Sequence, residues 1–514
     1  MVSWERLNEM ALGFLTERNT DSLLEKILTG SREVTVADAG SLYLVEEGPG
    51  GGRYLVFKST QVGSLSLPFR QFTLPIDTRS IAGYVAATGE ILNIEDAHQI
   101  ENLPFQLNKD FDQKFGYPTK SMLVIPLKSK KGEVIGVLQL INAKRDREAK
   151  LLSPEAVAEV VISFSEPSQE KVSALAIYAA AALENSLLYR ETQRMFEGVV
   201  KALMTLLESR DPTTFGRSER VAKLTLGLAE AVDKCGSGPY KDVHFTPEDL
   251  QELRFASLLQ DIGMIGVPEL LLGKAKKLFP WQLDLIKKRF QYISKRIEVE
   301  SLRKKLDFVM QNGNQNFQAF FAGTYADQLG RFKTLEEYLD TVRQANEPTE
   351  LSEKASERLR EIAGWTFQDS SGSSEPLLTT DELKSLSIPK GSLDDDERLR
   401  IESHVINSFR FLSQIPWTKE LKNIPEIVRA HHEKLDGSGY PSHRKGEEIP
   451  LQSRMITLCD IFVALTARDR PFRRAVPVER ALDLMGVEAQ SNLLDPELFR
   501  LFVDAKVYEL TAKS

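Results

Sequence analysis

Four of the six histidines in this chain fall within forty residues, and two of them are adjacent: His404, His431, His432 and His443. The adjacent pair is followed by a carboxylate and by a turn-forming segment rich in glycine, residues 436–441. Imidazoles are common ligands of divalent metal ions. Consecutive residues of a helix point about 100° apart, so two adjacent histidines can face one site only near a helix end. We expect the glycines of residues 436–441 to supply that end, and the pattern predicts a metal site.

Further polar residues interrupt apolar stripes of helical periodicity. They are Arg217, Asp261, His404 and Asp460. A buried carboxylate or guanidinium is costly unless it is paired or coordinated. A single inward histidine is more often a satisfied core residue than a ligand, but four such positions together with the histidine pair favour one polar centre. These residues must therefore be positioned by the helices of a bundle.

Residues 431–441, His-His-Glu-Lys-Leu-Asp-Gly-Ser-Gly-Tyr-Pro, closely resemble the signature of HD-GYP domains. These are bacterial metal-dependent phosphodiesterases that hydrolyse cyclic di-GMP. The resemblance implies an all-α helical bundle over residues 209–508, with an inserted helical segment at about 295–395. It implies a divalent metal, iron or manganese, with the ligands Asp261, His404, His431, His432 and Asp460. It also implies that the dinucleotide is bound by Gly439, Tyr440, Pro441, Arg470 and Arg473.

The first half of the family pattern is altered at three positions. Arg217 stands where the resemblance places a metal-binding histidine, Gln260-Asp261 stands in place of a His-Asp pair, and Met264 replaces a lysine. A guanidinium keeps its charge and pairs bidentately with carboxylates, so we expect Arg217 to replace one metal ion as the counter-charge of Asp261 and Asp460. The centre is then degenerate at the catalytic positions Gln260 and Met264. We expect it to hold one metal ion or none and to give little turnover.

The N-terminal part, residues 1–168, combines helical periodicity with short alternating strands. Two strand pairs flank turn-forming sequences at residues 48–52 and 129–132, which predicts hairpins. Residues 38–43, 80–85 and 136–142 resemble segments of GAF domains. The resemblance implies an α/β sensor domain that binds a small molecule, whose identity the residues do not indicate. A GAF fold that serves only for dimerisation is an equal alternative.

Residues 169–208 are nearly free of helix breakers and contain a continuous apolar stripe. We interpret them as a helical linker that forms a stalk in a parallel homodimer. The alternative is a core helix of the N-terminal domain that continues into the first helix of the next domain.

Composition excludes several other classes of protein. The 514 residues have a net charge of −8 with no basic patch among aromatics, which argues against a nucleic-acid polymer as partner. The two cysteines, Cys235 and Cys459, are too few and too far apart for a disulfide framework. We see no apolar run of about 18 residues and no signal peptide, so no membrane span and a cytoplasmic location are expected.

These patterns predict an α+β multidomain bacterial signalling protein, in which a GAF sensor and a helical linker precede a degenerate HD-GYP output domain. We expect the output domain to bind cyclic di-GMP, a related nucleotide or a signalling protein partner, with impaired hydrolysis or none. One alternative is an active cyclic di-GMP phosphodiesterase with an atypical metal centre. Another is a phosphohydrolase that acts on a different nucleotide.

Overall fold

The structure is a computed structural model that describes residues 2–17, 19–48, 50–65, 71–99, 104–105, 112, 117–210, 216–313, 315–368, 372–467 and 475–511. It divides into two compact units, Met1–Glu197 and Gly198–Ser514. We call them the N-terminal and C-terminal units.

An antiparallel sheet is the centre of the N-terminal unit. Its strands lie in the order β3-β2-β1-β6-β5-β4, and β7 pairs with β6. The strands are β1 Ala37–Glu47, β2 Arg53–Val62, β3 Thr73–Pro75, β4 Leu92–Ile94, β5 Met122–Lys128, β6 Val134–Lys144 and β7 Val161–Ile162. Both predicted hairpins are confirmed, because β1 pairs with β2 and β5 pairs with β6. Gly51 and Gly132 have φ of 76° and 83° in these turns, a backbone conformation that glycine adopts without strain.

The two faces of this sheet contribute to different hydrophobic cores. Leu123 and Ile125 of β5 pack with the helices on one face, whereas Met122 and Val124 point to the other face, as the alternation of a strand requires. The helices are α1 Trp4–Thr16, α2 Thr20–Thr35, α3 Ile81–Thr88, α4 Pro154–Val160 and α5 Glu166–Arg210. The predicted α/β class of this part is therefore confirmed.

The whole of the segment predicted as a linker lies within the single helix α5. Its first half contributes Val172, Leu175, Ala179 and Leu183 to the core that also contains α1 and α2. The first half thus lies in the N-terminal core, as in the alternative that the sequence left open. The expectation that no segment has the composition of a membrane span is wrong for α5. By length and composition alone, α5 is long and apolar enough to cross a membrane. However, 44% of its apolar window is buried inside the protein.

The C-terminal unit is mainly helical. Its helices are α6 Arg217–Asp233, α7 Pro247–Leu259, α8 Glu269–Leu272, α9 Pro280–Asn312, α10 Phe317–Ala345, α11 Glu353–Ala363, α12 Thr380–Leu386, α13 Asp395–Leu412, α14 Ile424–Arg429, α15 Leu451–Thr466, α16 Val478–Gln490 and α17 Pro496–Asp504. Short 3₁₀ helices occupy Ile262–Gly266, Gly446–Glu448 and Val507–Thr511. Helices α6, α7, α13, α14 and α15 surround the candidate site described below.

The predicted insertion corresponds to most of a subdomain with its own hydrophobic core. Helices α9 and α10 pack as a hairpin, and α11, α12 and the two-stranded sheet of β8 Thr366–Gln368 and β9 Ser374–Pro376 complete it. Its core residues include Ile286, Phe290, Ile293, Ile297, Leu335, Tyr338, Val342, Leu359, Ile362 and Leu386. The subdomain starts earlier than the predicted residue 295, because α9 begins at Pro280.

Candidate metal centre

Four of the five predicted metal ligands lie together in the C-terminal unit. Potential ligand atoms of Asp261, His404, His431 and His432 are all within 4.8 Å of one another. Asp261 immediately precedes the 3₁₀ helix Ile262–Gly266, and His404 lies in the middle of α13. Residues separated by up to 171 positions in the sequence therefore meet at one buried point.

The adjacent histidines face the same site because helix α14 stops just before them. This helix ends at Arg429, and His431 and His432 lie in the following turn. Their ring centroids are 4.1 Å apart. The expected helix end is therefore present, but it lies before the pair and not at the glycines of residues 436–441.

Backbone carbonyl groups determine which nitrogen of two histidines points into the cluster. His404 Nδ1 lies 2.7 Å from Ile401 O, and His431 Nδ1 lies 2.6 Å from Val428 O. A carbonyl oxygen only accepts, so each Nδ1 is a protonated donor, and in the neutral imidazole the lone pair is then on Nε2. Both Nε2 atoms are buried without a hydrogen-bond partner. They lie 3.5 and 4.0 Å from Asp261 Oδ1.

These atoms fit one divalent metal ion. Burial lowers the pKa of His404, and burial followed by the neighbouring His431 lowers the pKa of His432 well below its ordinary value. Neutral imidazoles are the form that binds metals, and the carbonyl contacts orient them as supporting groups do in metal sites. Three imidazoles and one carboxylate are a donor set for zinc, iron or manganese.

Asp460, the fifth predicted ligand, is engaged by other groups. Arg217 Nη2 donates to both of its carboxylate oxygens at 2.8 and 2.9 Å, and Arg217 Nε donates to Oδ1 at 3.2 Å. Gln260 Nε2 donates to Oδ1 at 3.0 Å. The exposed fractions of the Arg217 and Asp460 side chains are 18% and 5%, so this ion pair is largely removed from water. A cation bound to Asp460 would have to displace the guanidinium.

Arg217 also lies near the histidine cluster, since its Nε atom is 3.9 Å from Asp261 Oδ2. The guanidinium therefore approaches both aspartates, and its hydrogen bonds to Asp460 are the shorter contacts. The residues fit one metal ion at the histidines, and they do not fit a second metal ion at Asp460.

Asp261 is positioned by a close approach between two backbone segments. The sequence did not indicate this approach. Ser408 Oγ of α13 accepts from Gly263 N at 2.8 Å and donates to Gln260 O at 2.9 Å. A Cβ atom on Gly263 would clash with the backbone of His404 and Ser408. Glycine is required here because the 3₁₀ helix lies directly on α13. Met264 is half-buried in the same 3₁₀ helix, and its N–H donates to Asp261 O at 2.9 Å.

The glycine-rich segment forms a loop beside the imidazoles. The buried Glu433 carboxylate accepts from Ser442 N at 2.7 Å and from Arg444 N at 3.0 Å. These hydrogen bonds fix the second half of the loop. The Tyr440 ring lies 4.8 Å from the His432 ring, and Gly439 has no room for a Cβ atom. Gly439, Tyr440 and Pro441 are thus placed at the cluster. Arg470 and Arg473 lie outside the described residues.

Family models match two segments of this chain. Residues 19–183 match the GAF domain, and residues 378–498 match the HD domain. The second match contains the three clustered histidines and Asp460, whereas Arg217, Gln260 and Asp261 precede it. Arg217 and Gln260 are two of the positions where the chain departs from the HD-GYP pattern, and the third, Met264, also precedes the matched segment.

Characterised relatives are phosphodiesterases. A "3'3'-cGAMP-specific phosphodiesterase 3" of Vibrio cholerae is 40% identical over 109 residues, which are 21% of this chain and 23% of that protein. A "3'3'-cGAMP-specific phosphodiesterase 1" of the same species is 35% identical over 113 residues, 22% of this chain and 25% of that protein. The "Dual 3',5'-cyclic-AMP and -GMP phosphodiesterase 11" of Drosophila melanogaster is 32% identical over 198 residues, 37% of this chain and 12% of that protein. The chain thus matches a quarter or less of the length of these relatives.

Solved structures similar to this chain include two GAF domains of phosphoenolpyruvate-protein phosphotransferases. The Acinetobacter domain is 16% identical with a TM-score of 0.26 and covers 36% of this chain and 93% of that chain. The Coxiella burnetii domain is 20% identical with a TM-score of 0.27. It covers 36% of this chain and 95% of that chain. The family matches show that the chain is a protein with a GAF domain at residues 19–183 and an HD domain whose matched segment is residues 378–498.

Proposed function

We propose that this chain is a bacterial cytoplasmic signalling protein whose HD domain is of the HD-GYP type, binds a cyclic dinucleotide and hydrolyses it slowly or not at all. The single observation that supports impaired hydrolysis is the Asp460 carboxylate, which accepts three hydrogen bonds from Arg217 and one from Gln260. The groups that would hold a second metal ion are thus replaced by a fixed organic cation.

The residues that remain are suited to binding. Asp261, His404, His431 and His432 would hold one divalent ion, iron or manganese. When bound, that ion would supply a Lewis acid to a phosphate oxygen of the ligand. Glu433 holds the loop that presents Tyr440 next to the cluster. Two-metal sites stabilise both the attacking and the leaving oxygen, so a centre with one ion lacks half of that stabilisation. Met264 supplies no charge where the family pattern has a lysine.

The ligand class follows from the relatives and from the loop. Two relatives carry names that specify 3'3'-cGAMP, a cyclic dinucleotide, and the intact loop at residues 436–441 resembles that of proteins that hydrolyse cyclic di-GMP. Arg470 and Arg473 are proposed to contact the phosphates, since arginine pairs well with phosphate oxygens. We propose cyclic di-GMP or 3'3'-cGAMP as the ligand.

The second candidate is an active phosphodiesterase with an atypical centre. The observation that favours it is the four-ligand cluster with two unpartnered imidazole nitrogens, which is complete without Asp460. The two candidates therefore differ in turnover.

The test uses the full-length chain loaded with Fe²⁺ or Mn²⁺. Metal content, calorimetric binding of cyclic di-GMP and 3'3'-cGAMP, and hydrolysis of both would be measured. We expect at most one ion per chain, binding of at least one dinucleotide, and negligible turnover. Turnover of the wild-type protein, with one ion or with two, would overturn the proposal in favour of the active enzyme.

A restored variant makes the test sharper. Replacing Arg217→His, Gln260→His and Met264→Lys together should add a second ion and raise turnover at least about a hundredfold, because each of these groups supplies an electrostatic contact in the family pattern. Arg217→Lys is the matched control, since it keeps a positive charge and adds no imidazole. It should leave the metal content unchanged.

Dimerisation and the sensor ligand belong to the same proposal. Leu188, Met195, Val199 and Leu206 of α5 are exposed, which supports a parallel helical stalk in a homodimer. We propose a small-molecule ligand of unidentified chemistry for the GAF domain. A signalling protein partner of the HD domain is the expected recipient of the signal if no turnover occurs.

A further inference from the structure

The last turn of helix α5 contacts both chain segments that lead into the candidate metal centre. Arg210, the final residue of α5, donates from Nη1 to Ile265 O and from Nη2 to Val267 O, the second at 2.9 Å. Glu208 Oε1 accepts from Gly216 N at 2.8 Å. All of these contacts lie within the C-terminal unit. Neither Arg210 nor Glu208 is part of the histidine cluster, so the site described above assigns them no role.

Arg210 holds the C-terminal end of the 3₁₀ helix that begins after Asp261. This helix covers only Ile262–Gly266, and the carbonyl groups at the end of a helix have no partners within it. The Arg210 guanidinium satisfies two carbonyls at this end. At the other end, Ser408 of α13 accepts from Gly263 N. A helix this short has few hydrogen bonds of its own, so these two anchors determine where Asp261 lies.

Glu208 holds the start of α6, whose first residue is Arg217. Gly216 has no side chain with which to cap this helix, and the Glu208 carboxylate contacts its backbone N–H instead. A negative charge at the N-terminus of a helix is favourable. The Arg217 guanidinium lies 2.8 Å from Asp460 Oδ1 and 3.9 Å from Asp261 Oδ2. The last turn of α5 thus holds both a metal ligand and the cation that competes with a metal ion beside it.

We propose, on the basis of the metal site of the proposed function, that Arg210 and Glu208 are positioning residues of the centre, so that its affinity for a divalent ion depends on the last turn of α5. The first half of α5 contributes to the N-terminal core, and the helix continues without interruption to Arg210. Val200, Met204 and Leu207 are buried in its last part. A displacement of this turn would therefore move the metal ligand and the guanidinium together.

Calorimetric titration of the full-length chain with Mn²⁺ tests the Arg210 contact. Arg210→Met keeps an apolar stem and removes the donors, and it should weaken Mn²⁺ binding about 10- to 100-fold, as loss of a group that supports a metal ligand does. Arg210→Lys should recover part of the affinity, because an ammonium group can still donate to one carbonyl. Arg194→Met is the matched control, since Arg194 is exposed on the same helix. Equal Mn²⁺ affinity of Arg210→Met and the wild-type protein would overturn the proposal.

Hydrogen exchange of the metal-free protein tests the two contacts without a metal ion. Arg210→Met should raise the exchange rate about fivefold in peptides that cover residues 262–267, because the end of the 3₁₀ helix is released. Glu208→Ala should raise the rate by a similar factor in peptides that cover residues 216–220. Glu208→Gln should exchange as the wild-type protein does, because its amide oxygen can still accept the hydrogen bond.

The two measurements separate failure of the positioning contacts from failure of the metal site. A wild-type protein that binds no Mn²⁺ would reject the metal site of the proposed function, and exchange would then decide whether the two residues position these segments. Unchanged exchange in both segments would overturn the positioning role. An equal increase throughout the C-terminal unit would show only a loss of stability and would also overturn it.

Discussion

Asp460 and Asp261 both lie within 4 Å of Arg217 but have different nearest partners. Asp460 receives a bidentate guanidinium and an amide, whereas Asp261 faces the unpartnered nitrogens of two histidines. A metal ion can exchange its water ligands for a phosphate, but a guanidinium bound to a carboxylate offers no open position for one. Arg217 therefore stabilises the buried Asp460 carboxylate, but it cannot bind a phosphate there as a metal ion would.

Removal of that guanidinium gives a measurable result. Arg217→Ala should lower the free energy of unfolding by about 3–5 kcal/mol, because it leaves the buried Asp460 carboxylate without a charged partner. Addition of Mn²⁺ should recover part of this loss in the variant, since a metal ion could then take the place of the arginine. Urea unfolding with and without Mn²⁺ measures both effects. Arg500→Ala, which breaks exposed ion pairs with Glu497 and Asp504, should change the free energy of unfolding far less, because water and salt screen exposed pairs. Unchanged stability of Arg217→Ala would contradict the assignment.

Among the elements of the fold, the α9–α12 subdomain is the one whose packing could least be predicted from composition. It buries a core of its own, and it also buries a charged side chain, Lys277, in the segment that enters α9. The Nζ atom of Lys277 lies 3.5 Å from Leu386 O, the long limit of a hydrogen bond. Loss of hydration lowers the pKa of Lys277 below its ordinary value of 10.5. Lysine at this position therefore reduces the stability of the subdomain.

Replacement of this lysine should stabilise the protein in a pH-dependent way. In the folded state the pKa is lowered, so the unfolded chain binds more protons between the folded pKa and 10.5. The wild-type protein thus gains stability as pH rises through this window. Lys277→Met should raise the free energy of unfolding by about 1–3 kcal/mol at neutral pH, and the gain should shrink towards pH 10.5. Urea titrations at several pH values test this, with the exposed neighbour Lys276→Met as control. A gain that does not change with pH would contradict it.

The whole molecule combines two units with separate hydrophobic cores, and the described residues contain one candidate metal site. The sheet-based cores lie in the N-terminal unit, and the histidine cluster lies in the C-terminal unit. A ligand that binds only the folded form stabilises the structure to which it binds. A metal ion should therefore protect the C-terminal unit directly.

Thermal unfolding should show this selectivity. Mn²⁺ at about 100 times its dissociation constant should add about 2.7 kcal/mol to the stability of the C-terminal unit, seen as a rise in the midpoint of one transition. The transition of the N-terminal unit should keep its midpoint. Replacing His404→Ala and His431→Ala should abolish the shift. A shift of equal size in that variant would place the metal elsewhere.

Several features of the fold and site were predictable because they are local. Alternation along β5 and β6 and glycine in their turn determined the hairpin, and the seven-residue and four-residue spacings determined which side of each helix faces inward. The adjacent His431 and His432 required a helix end, and the end of α14 at Arg429 supplies it. The resemblance to the HD-GYP signature also selected His404 and Asp261, which the structure brings to the same cluster.

Tertiary structure alone decided which inward-facing residues meet. Periodicity places Arg217 and Asp460 on apolar stripes, but they are 243 residues apart, and only the packing of α6 against α15 joins them. The carbonyls of Ile401 and Val428, which orient the imidazoles, and Ser408, which holds the backbone next to Asp261, have no sequence signature. The sequence by itself thus determined the residue types and faces of the centre. The three-dimensional packing decided that one carboxylate meets the histidines while the other meets an arginine, because pairing of buried charges depends on distances between helices that no local pattern encodes.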